Sequence, residues 1–218
     1  MKNKLSLILI FLMIYLVPAG VSADTQDQAI YQSENLKNVF LSIDQENSWL
    51  TFFLKGNVHD TLGSPEKIDG SVTAYFSQDG DLLKAEGGIN VSAAALDTKD
   101  KARDKRMKKK FLHVKKYPDI AFNLTSFSTD TNINIKKISG ADISLPITLN
   151  GELLIHGVKR NISIESSILL NKGQLIIDGA TRLLLQDFNI KNPSLLFFRT
   201  SNDVDIKFHI ILTGIEFD

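Results

Sequence analysis

The 218-residue chain contains no cysteine. It can therefore form no disulfide, no thiolate metal site, no thiol nucleophile and no lipidated cysteine. It also lacks an excess of either charge, since 25 Lys and Arg residues balance 25 Asp and Glu residues, and this argues against nucleic acid as a partner. Beyond residue 17 no apolar run is long enough to span a bilayer. We expect a fold held together by burial of apolar side chains.

The first residues have the pattern of a cleavable export signal. Lys2 and Lys4 precede an apolar run over residues 5–17, which is short for a membrane span, and a helix-breaking proline and glycine follow it. The small residues of Val21-Ser22-Ala23 suit signal peptidase, so we predict that residues 1–23 are a signal peptide cleaved after Ala23. Residues 24–218 would then form a single domain that is exported to the periplasm or, alternatively, secreted.

From about residue 39 the sequence alternates apolar and polar residues with period two. Residues 68–76, 89–95, 120–124, 143–155 and 204–212 each carry one apolar parity, with polar residues between. This pattern is typical of strands with one buried face. About eight such strands joined as neighbours predict an all-β antiparallel fold, and a sheet this extensive either stacks in two layers or closes on itself. Closure removes exposed sheet edges, and we favour a β-barrel of about eight strands because a single apolar parity recurs on nearly every strand.

One stretch departs from this alternation. Residues 103–122 hold eight Lys or Arg and only two Asp. Most of this stretch belongs to the one convincing helical segment, predicted from about Lys99 to Val114, with Asp97 or Thr98 able to cap its start. We therefore expect one short, strongly basic helix inserted in the barrel.

Several motifs together resemble the YceI-like family of lipid-binding proteins. They occur in the family's order from near Phe40 to Leu212: Leu96-Asp97-Thr98, Arg103-Asp104, Met107, Phe111, Tyr117-Pro118-Asp119-Ile120-Ala121-Phe122, the strand pair from Leu149 to Lys159, Asp187-Phe188-Asn189-Ile190 and Asn202-Asp203-Val204-Asp205-Ile206. The resemblance implies a lipocalin-like antiparallel barrel, usually periplasmic. It also implies an apolar tunnel for a polyisoprenoid or another long-chain lipid such as a quinone.

The chain departs from the family pattern at three positions. Arg106 stands where relatives often have His, Leu185 where they often have Arg, and Asn189 where they have Gly. Asn tolerates a positive φ better than most residues, so Asn189 can keep the turn. The other two changes alter any polar contact made by these side chains, and with it the head-group preference.

The apolar alternation predicts either a filled core or, with the resemblance, a tunnel. The predicted lining residues share the inward parity of their strands: Phe53, Val72, Phe76, Val91, Phe122, Leu145, Ile147, Ile164, Ile206 and Phe208. Trp49, on the parity of Phe53, is predicted to lie in the core or at the mouth. Arg103, Arg106 and Lys108 are predicted to line the mouth or meet a head group. The alternative for the basic helix is a solvated face; as a rim it would attract phosphate or an anionic membrane surface.

No signature of catalysis or of a cofactor is present in the sequence. The four histidines, at positions 59, 113, 156 and 209, are far apart, so a metal site is improbable. Asp97, Asp100 and Asp104 are interpreted as ion-pair partners of neighbouring Lys or Arg and not as a catalytic pair. We predict a non-enzymatic protein without cofactor or metal that binds and carries or sequesters a long-chain lipid. The alternative is a filled barrel that docks an envelope partner or anionic surface through its basic helix. The sequence leaves open whether the chain forms a homodimer.

Overall fold

Eleven β-strands dominate the computed structural model, which describes residues 37–138, 143–194, 197 and 199–214. The strands are β1 (Lys37–Ile43), β2 (Trp49–Leu54), β3 (Thr61–Pro65), β4 (Asp69–Phe76), β5 (Leu82–Ser92), β6 (Leu96–Asp97), β7 (Asp119–Ser128), β8 (Ser144–Ile155), β9 (Val158–Asn171), β10 (Gln174–Leu184) and β11 (Asp203–Thr213). The predicted signal peptide lies outside the described residues.

Eight of these strands close into an antiparallel barrel. The order is β1-β4-β5-β7-β8-β9-β10-β11, and β11 pairs back to β1 at Ser42↔Thr213 and Ile43↔Leu212. The remaining strands extend the sheet, since β2 pairs with the first half of β11, β3 pairs with β2, and β6 with β3. The predicted all-β barrel of about eight strands is confirmed, and the stacked two-layer alternative is excluded.

The helical segments are short. The helix α1 (Lys101–Arg106) continues directly as a π-helical turn, Met107–Phe111, and α2 (Ile135–Ile138) precedes β8. Two 3₁₀ turns, Ala93–Ala95 and Leu185–Phe188, flank the ends of β5 and β10. Among the described residues, no helix has the length and apolar character needed to cross a membrane.

The start of α1 differs from the prediction. Asp100 is the N-cap: its extended backbone (φ −134°, ψ 105°) places a carboxylate oxygen 2.9 Å from the Ala102 amide and 3.0 Å from the Arg103 amide. Asp97 instead accepts from the Lys99 amide and ammonium group, at 2.6 and 2.8 Å. The helix therefore starts at Lys101 and not at Lys99.

Because neighbouring strands are antiparallel, successive connections lie at opposite ends of the barrel. The β4–β5, β7–β8 and β9–β10 connections lie at one end, called here the far end. The helix α1 with its π-helical turn, the β8–β9 turn and the β10–β11 loop lie at the other end, called here the mouth end.

Apolar side chains pack closely at the far end, and two of them, Leu41 and Leu212, also face the interior cavity. Leu41, Ile133, Leu170 and Leu212 are the largest fully buried side chains among the described residues. Ile133 lies just before α2, in the connection between β7 and β8. The next residue, Asn134, forms a backbone bridge with Asp81 of the β4–β5 turn. The connection thus packs onto the barrel and closes this end.

Candidate ligand cavity and its mouth

Inside the barrel, a cavity of about 580 Å³ extends from the apolar strand walls to the mouth end. Its volume lies within the roughly 300–1,000 Å³ range of small-molecule sites. Every barrel strand contributes inward-facing side chains, as period-two alternation requires. The interior is therefore not completely filled by the protein's own side chains, in contrast to the filled-core alternative.

Seven of the ten predicted lining residues lie on the cavity wall. They come from six strands and share the inward parity that the sequence indicated: Val72, Val91, Phe122, Ile147, Ile164, Ile206 and Phe208. Their contact with a ligand stays a prediction.

Phe53 is not on the wall, and Phe52 takes its place. The register of β2 on β11 sets Phe52 opposite Ile206, which faces the cavity, and Phe53 opposite Asp205. Residues directly opposite on antiparallel strands share a face, so Phe53 points away from the cavity. Trp49 has the same outward parity; it is 47% exposed and stacks on His209, so its prediction as core or mouth is wrong. Two adjacent phenylalanines make the alternation of β2 ambiguous in sequence.

Phe76 and Leu145 also lie off the cavity wall. Both are at the far end, where β4 ends and β8 begins. Phe76 is buried within the core cluster that includes Ile133, and the half-buried Leu145 packs against that cluster. Both residues lie in or against the core cluster and not on the cavity wall, which at this end is lined by neighbours such as Leu82 and Phe127.

The mouth end contributes wall residues that the sequence argument missed. They come from the π-helical turn and the residue after it, and from the 3₁₀ turn after β10, and include Met107, Phe111, Leu112, Leu185 and Phe188. The spacing of Arg103, Met107 and Phe111, four residues apart, is the signal that would have placed these three on one helix face.

The titratable side chains on the cavity wall all come from the mouth end: His59, Asp100, Arg103, Arg106 and Lys191. Arg103 donates from Nη1 to Thr61 Oγ1 at 3.2 Å, and its Nη2 lies 3.5 Å from the Asp100 carboxylate. The pKa of Asp100 is lowered, first by the hydrogen bond from the Arg103 amide; burial opposes this, and the hydrogen bond from the Ala102 amide lowers the pKa further. Asp100 therefore remains ionised beside Arg103.

Arg106 links the helix to the opposite rim of the mouth. Its Nη2 donates to the Pro193 carbonyl oxygen at 3.3 Å, and its guanidinium lies 5.4 Å from the centre of the Phe111 ring. The β10–β11 loop is in turn joined to the β2–β3 loop, because the Asn57 amide donates to the Arg199 carbonyl at 2.9 Å. Three separate segments thus surround the mouth.

Lys108 lies in the π-helical turn at the mouth end but not on the cavity wall, so its role at the mouth or with a head group stays a prediction. It follows Met107 within the π-helical turn and is half-buried, while Lys105, Lys109 and Lys110 are exposed. One residue of advance rotates a side chain by about 100° around a helix, which carries Lys108 away from the face of Arg103 and Met107. Most of the basic stretch is a solvated face, and two arginines of it reach the cavity.

Asp104 holds α1 against the segment that precedes it and does not form the predicted ion pair. It is buried, and its Oδ1 accepts from the Thr98 amide at 3.0 Å and from the Thr98 hydroxyl at 2.7 Å. A buried carboxylate with two donors is satisfied where it lies. The two residues of the Arg-Asp motif therefore have different roles. Asp104 holds the helix against the preceding segment, and Arg103 faces the cavity.

The structure brings together two histidines that the sequence argument treated as far apart. His113 Nδ1 and His156 Nε2 are 2.8 Å apart, and His156 Nδ1 lies 3.1 Å from the Phe188 carbonyl oxygen. Because a carbonyl only accepts, Nδ1 of His156 carries a proton, and the Nε2 of the same ring shares a second hydrogen bond with His113 Nδ1. His156 itself has φ 52° and forms the β8–β9 turn with Gly157 (φ 75°). These hydrogen bonds connect the segment after the π-helical turn to the β8–β9 turn and to the 3₁₀ turn after β10.

The predicted turn at Asn189 is confirmed. Asn189 has φ 54° and ψ 28° at the end of the Leu185–Phe188 turn, and its backbone amide lies 3.1 Å from the Gln186 carbonyl oxygen. The residue keeps the left-handed conformation that glycine provides most easily. In the part of the chain described, no three His, Asp or Glu side chains lie close enough to hold a metal ion.

A closed antiparallel barrel around an apolar cavity, with a helix at its mouth, defines a lipocalin-like protein. The family model of the YceI-like domain matches residues 41–212, so the chain belongs to the YceI-like family. A search among curated protein sequences gave no match.

Solved structures of the same fold come from several bacteria. BcnA of Burkholderia cenocepacia is 19% identical, with a TM-score of 0.62 over 78% of this chain and 98% of BcnA. A polyisoprenoid-binding domain from Saccharophagus degradans, implicated in plant cell wall breakdown, is 13% identical, with a TM-score of 0.59 over 80% and 98% of the two chains. The YceI protein of Campylobacter jejuni is 18% identical, with a TM-score of 0.50 over 72% and 85%.

Proposed function

We propose that this protein binds a long-chain amphiphilic lipid, such as a polyisoprenoid or a quinone, with the tail in the barrel and the head group at the mouth. The observation that carries the proposal is the cavity of about 580 Å³, whose wall is apolar along the strands and polar only near the mouth. Membership of the YceI-like family and the fold shared with a polyisoprenoid-binding domain support it.

Burial of the tail provides the affinity in this proposal. An isoprene unit has five carbons, so its transfer from water contributes on the order of 4 kcal/mol, at about 0.8 kcal/mol per CH₂ group, before the costs of association. A basic side chain near an anionic membrane contributes only about 1 kcal/mol. The mouth therefore selects and orients the lipid, while the barrel holds it.

The proposal extends to what the binding is for. The protein carries or sequesters its lipid without chemical change, after export to the periplasm, with secretion as the alternative. Lys105, Lys109 and Lys110 give the mouth end an exposed basic surface, which would make transient contact with an anionic membrane during lipid collection. Peptide mass analysis of the exported protein would test the cleavage after Ala23.

The alternative function, docking through the basic helix of a filled barrel, is less well supported. Its helix is exposed as that function requires, but the barrel encloses a cavity. Docking of a partner protein and formation of a homodimer remain predictions.

A substitution that fills the cavity tests the proposal. Ala85 lies on the cavity wall and is 9% exposed, whereas Ala180 is exposed on the outer face of β10. Ala85→Phe should abolish saturable uptake of a fluorescent fatty-acid probe, and Ala180→Phe should leave it unchanged.

Native mass spectrometry of the protein purified from its own host, with organic extraction, would identify any lipid retained. A wild-type protein that neither retains a lipid nor takes up the probe would contradict the proposed function. Equal uptake by Ala85→Phe, shown to be folded by circular dichroism, would place the probe outside the barrel.

A further inference from the structure

The mouth of the cavity carries more positive than negative charge. Arg103, Arg106 and Lys191 are on the cavity wall, and Asp100 is the only carboxylate there among the residues that the structure describes. Asp100 already accepts hydrogen bonds from two amides at the start of α1 and from the Arg103 guanidinium. Among the described residues, neither Arg106 nor Lys191 forms an ion pair. Two cations at the entrance of an apolar cavity thus lack a counter-charge.

These two cations also keep hydrogen-bond donors available. A guanidinium has five N–H donors, and Arg106 directs one donor nitrogen to the Pro193 carbonyl. Lys191 has three donors and makes no side-chain hydrogen bond to the residues that the structure describes. Arg106 belongs to the helix and Lys191 to the β10–β11 loop, so the donors approach the entrance from two sides.

Arg106, which connects the helix to the β10–β11 loop across the entrance, is also held in position. The contacts of Arg106 with Pro193 and with the Phe111 ring fix its guanidinium at the rim before any ligand binds. An oxyanion pairs with such donors through short, charge-assisted hydrogen bonds, whereas a hydroxyl or a quinone carbonyl leaves both positive charges without a counter-charge. The arrangement is therefore complementary to a negatively charged head group.

We propose that the ligand is an anionic amphiphile, whose phosphate or carboxylate head group binds between Arg106 and Lys191 at the mouth. Arg103 contributes a further donor from the same helix face. This inference rests on the proposed function and narrows it, since it favours an isoprenoid phosphate or a fatty acid over a neutral quinone. Its distinctive element is Lys191, which lies outside the basic stretch of residues 103–122.

Three probes with one tail test the inference: dodecanol, dodecanoate and dodecyl phosphate, each measured by displacement of a fluorescent probe from the purified protein. Two charge-assisted hydrogen bonds should make at least one of the anions bind about tenfold more tightly than the alcohol. In the double variant Arg106→Gln/Lys191→Gln this ratio should fall to near one. The ratio is the readout, so a general weakening of binding does not imitate the loss of selectivity.

The matched control removes the same charge elsewhere on the mouth end. Lys109→Gln/Lys110→Gln alters two exposed lysines off the cavity wall and should preserve the ratio. A preference for dodecyl phosphate alone would identify a phosphate site, and equal tight binding of both anions a general oxyanion site. Equal affinity for the alcohol and both anions in the wild type, or a ratio that survives in Arg106→Gln/Lys191→Gln, would overturn the inference while leaving the lipid-binding proposal intact. Failure of all three probes to bind would overturn both.

Discussion

The two ends of the barrel are built from different interactions. At the far end, Ile133 and Leu170 are buried in the core and lie off the cavity wall, and Ile133 comes from the chain between β7 and β8. At the mouth end the interior stays open, and hydrogen bonds of Asp104, Arg106 and His156 hold the covering segments in place. The same apolar alternation runs through both ends. The difference teaches that strands determine which side chains point inward, while the connections determine whether the space between them is filled.

The largest expected effect is at the far end. Leu170→Ala should lower the free energy of unfolding by about 3 kcal/mol, because the side chain is fully buried and its removal leaves a new cavity. Leu149→Ala removes the same atoms from a half-buried residue beside the existing cavity, and it should cost only about 1 kcal/mol. Urea denaturation of both variants measures the difference. Equal losses would show that the two ends are equally packed.

The anchor of the helix should come next. Asp104→Ala leaves the Thr98 amide and hydroxyl without their acceptor, so it should cost about 2 kcal/mol and weaken lipid binding by loosening α1. Asp119→Ala, which removes an exposed carboxylate from the same end, serves as the control. A change of less than about 0.5 kcal/mol for Asp104→Ala, the usual effect of a surface substitution, would be inconsistent with its role as an anchor.

A smaller effect is expected from the two histidines. If His113 and His156 act through their shared hydrogen bond, a double-mutant cycle with alanine should give a coupling energy of about 1 kcal/mol. His156→Ala alone should cost more than His113→Ala, because it also removes the contact with the Phe188 carbonyl. Thermal unfolding of the four proteins provides the values, and strictly additive losses would argue that the contact contributes nothing.

The smallest expected effect depends on pH. The pKa of Asp100 is lower in the folded protein than its ordinary value, so its contribution to stability is present above the unfolded pKa and is lost as the pH falls through the folded one. Asp100→Asn should therefore lower Tm at neutral pH, and the gap to the wild type should narrow below about pH 4. A gap that stays constant from pH 7 to pH 3 would exclude an electrostatic role for this N-cap.

Much of the barrel was predictable because each long strand has a regular alternation. Val72, Ile147 and Phe208 lie on the cavity wall because one parity was apolar and the other polar over many residues. The prediction for Phe53 was wrong because two adjacent phenylalanines in a short strand do not show which of them faces inward. Only the pairing of Phe53 with Asp205 on the partner strand decides this.

Other features depend on contacts between distant segments. His113 and His156 are 43 positions apart, and nothing in their local sequence indicates that they share a hydrogen bond. The contribution of Lys191 to the mouth likewise depends on how the β10–β11 loop lies beside the helix, which has no periodic signal. Sequence periodicity determined the walls, whereas the entrance could be defined only from the structure.

Closure of the barrel through β1 and β11 also has a consequence for how the chain folds. Ser42 and Thr213 are neighbours in the sheet, so almost the whole domain separates two residues that must meet. Such long-range pairs raise the contact order and slow folding, because the entropy of closing the loop is lost before the pairing repays it. Until β11 is available, β1 and β10 both present an unpaired edge. The barrel is therefore completed only after nearly the entire domain has been synthesised.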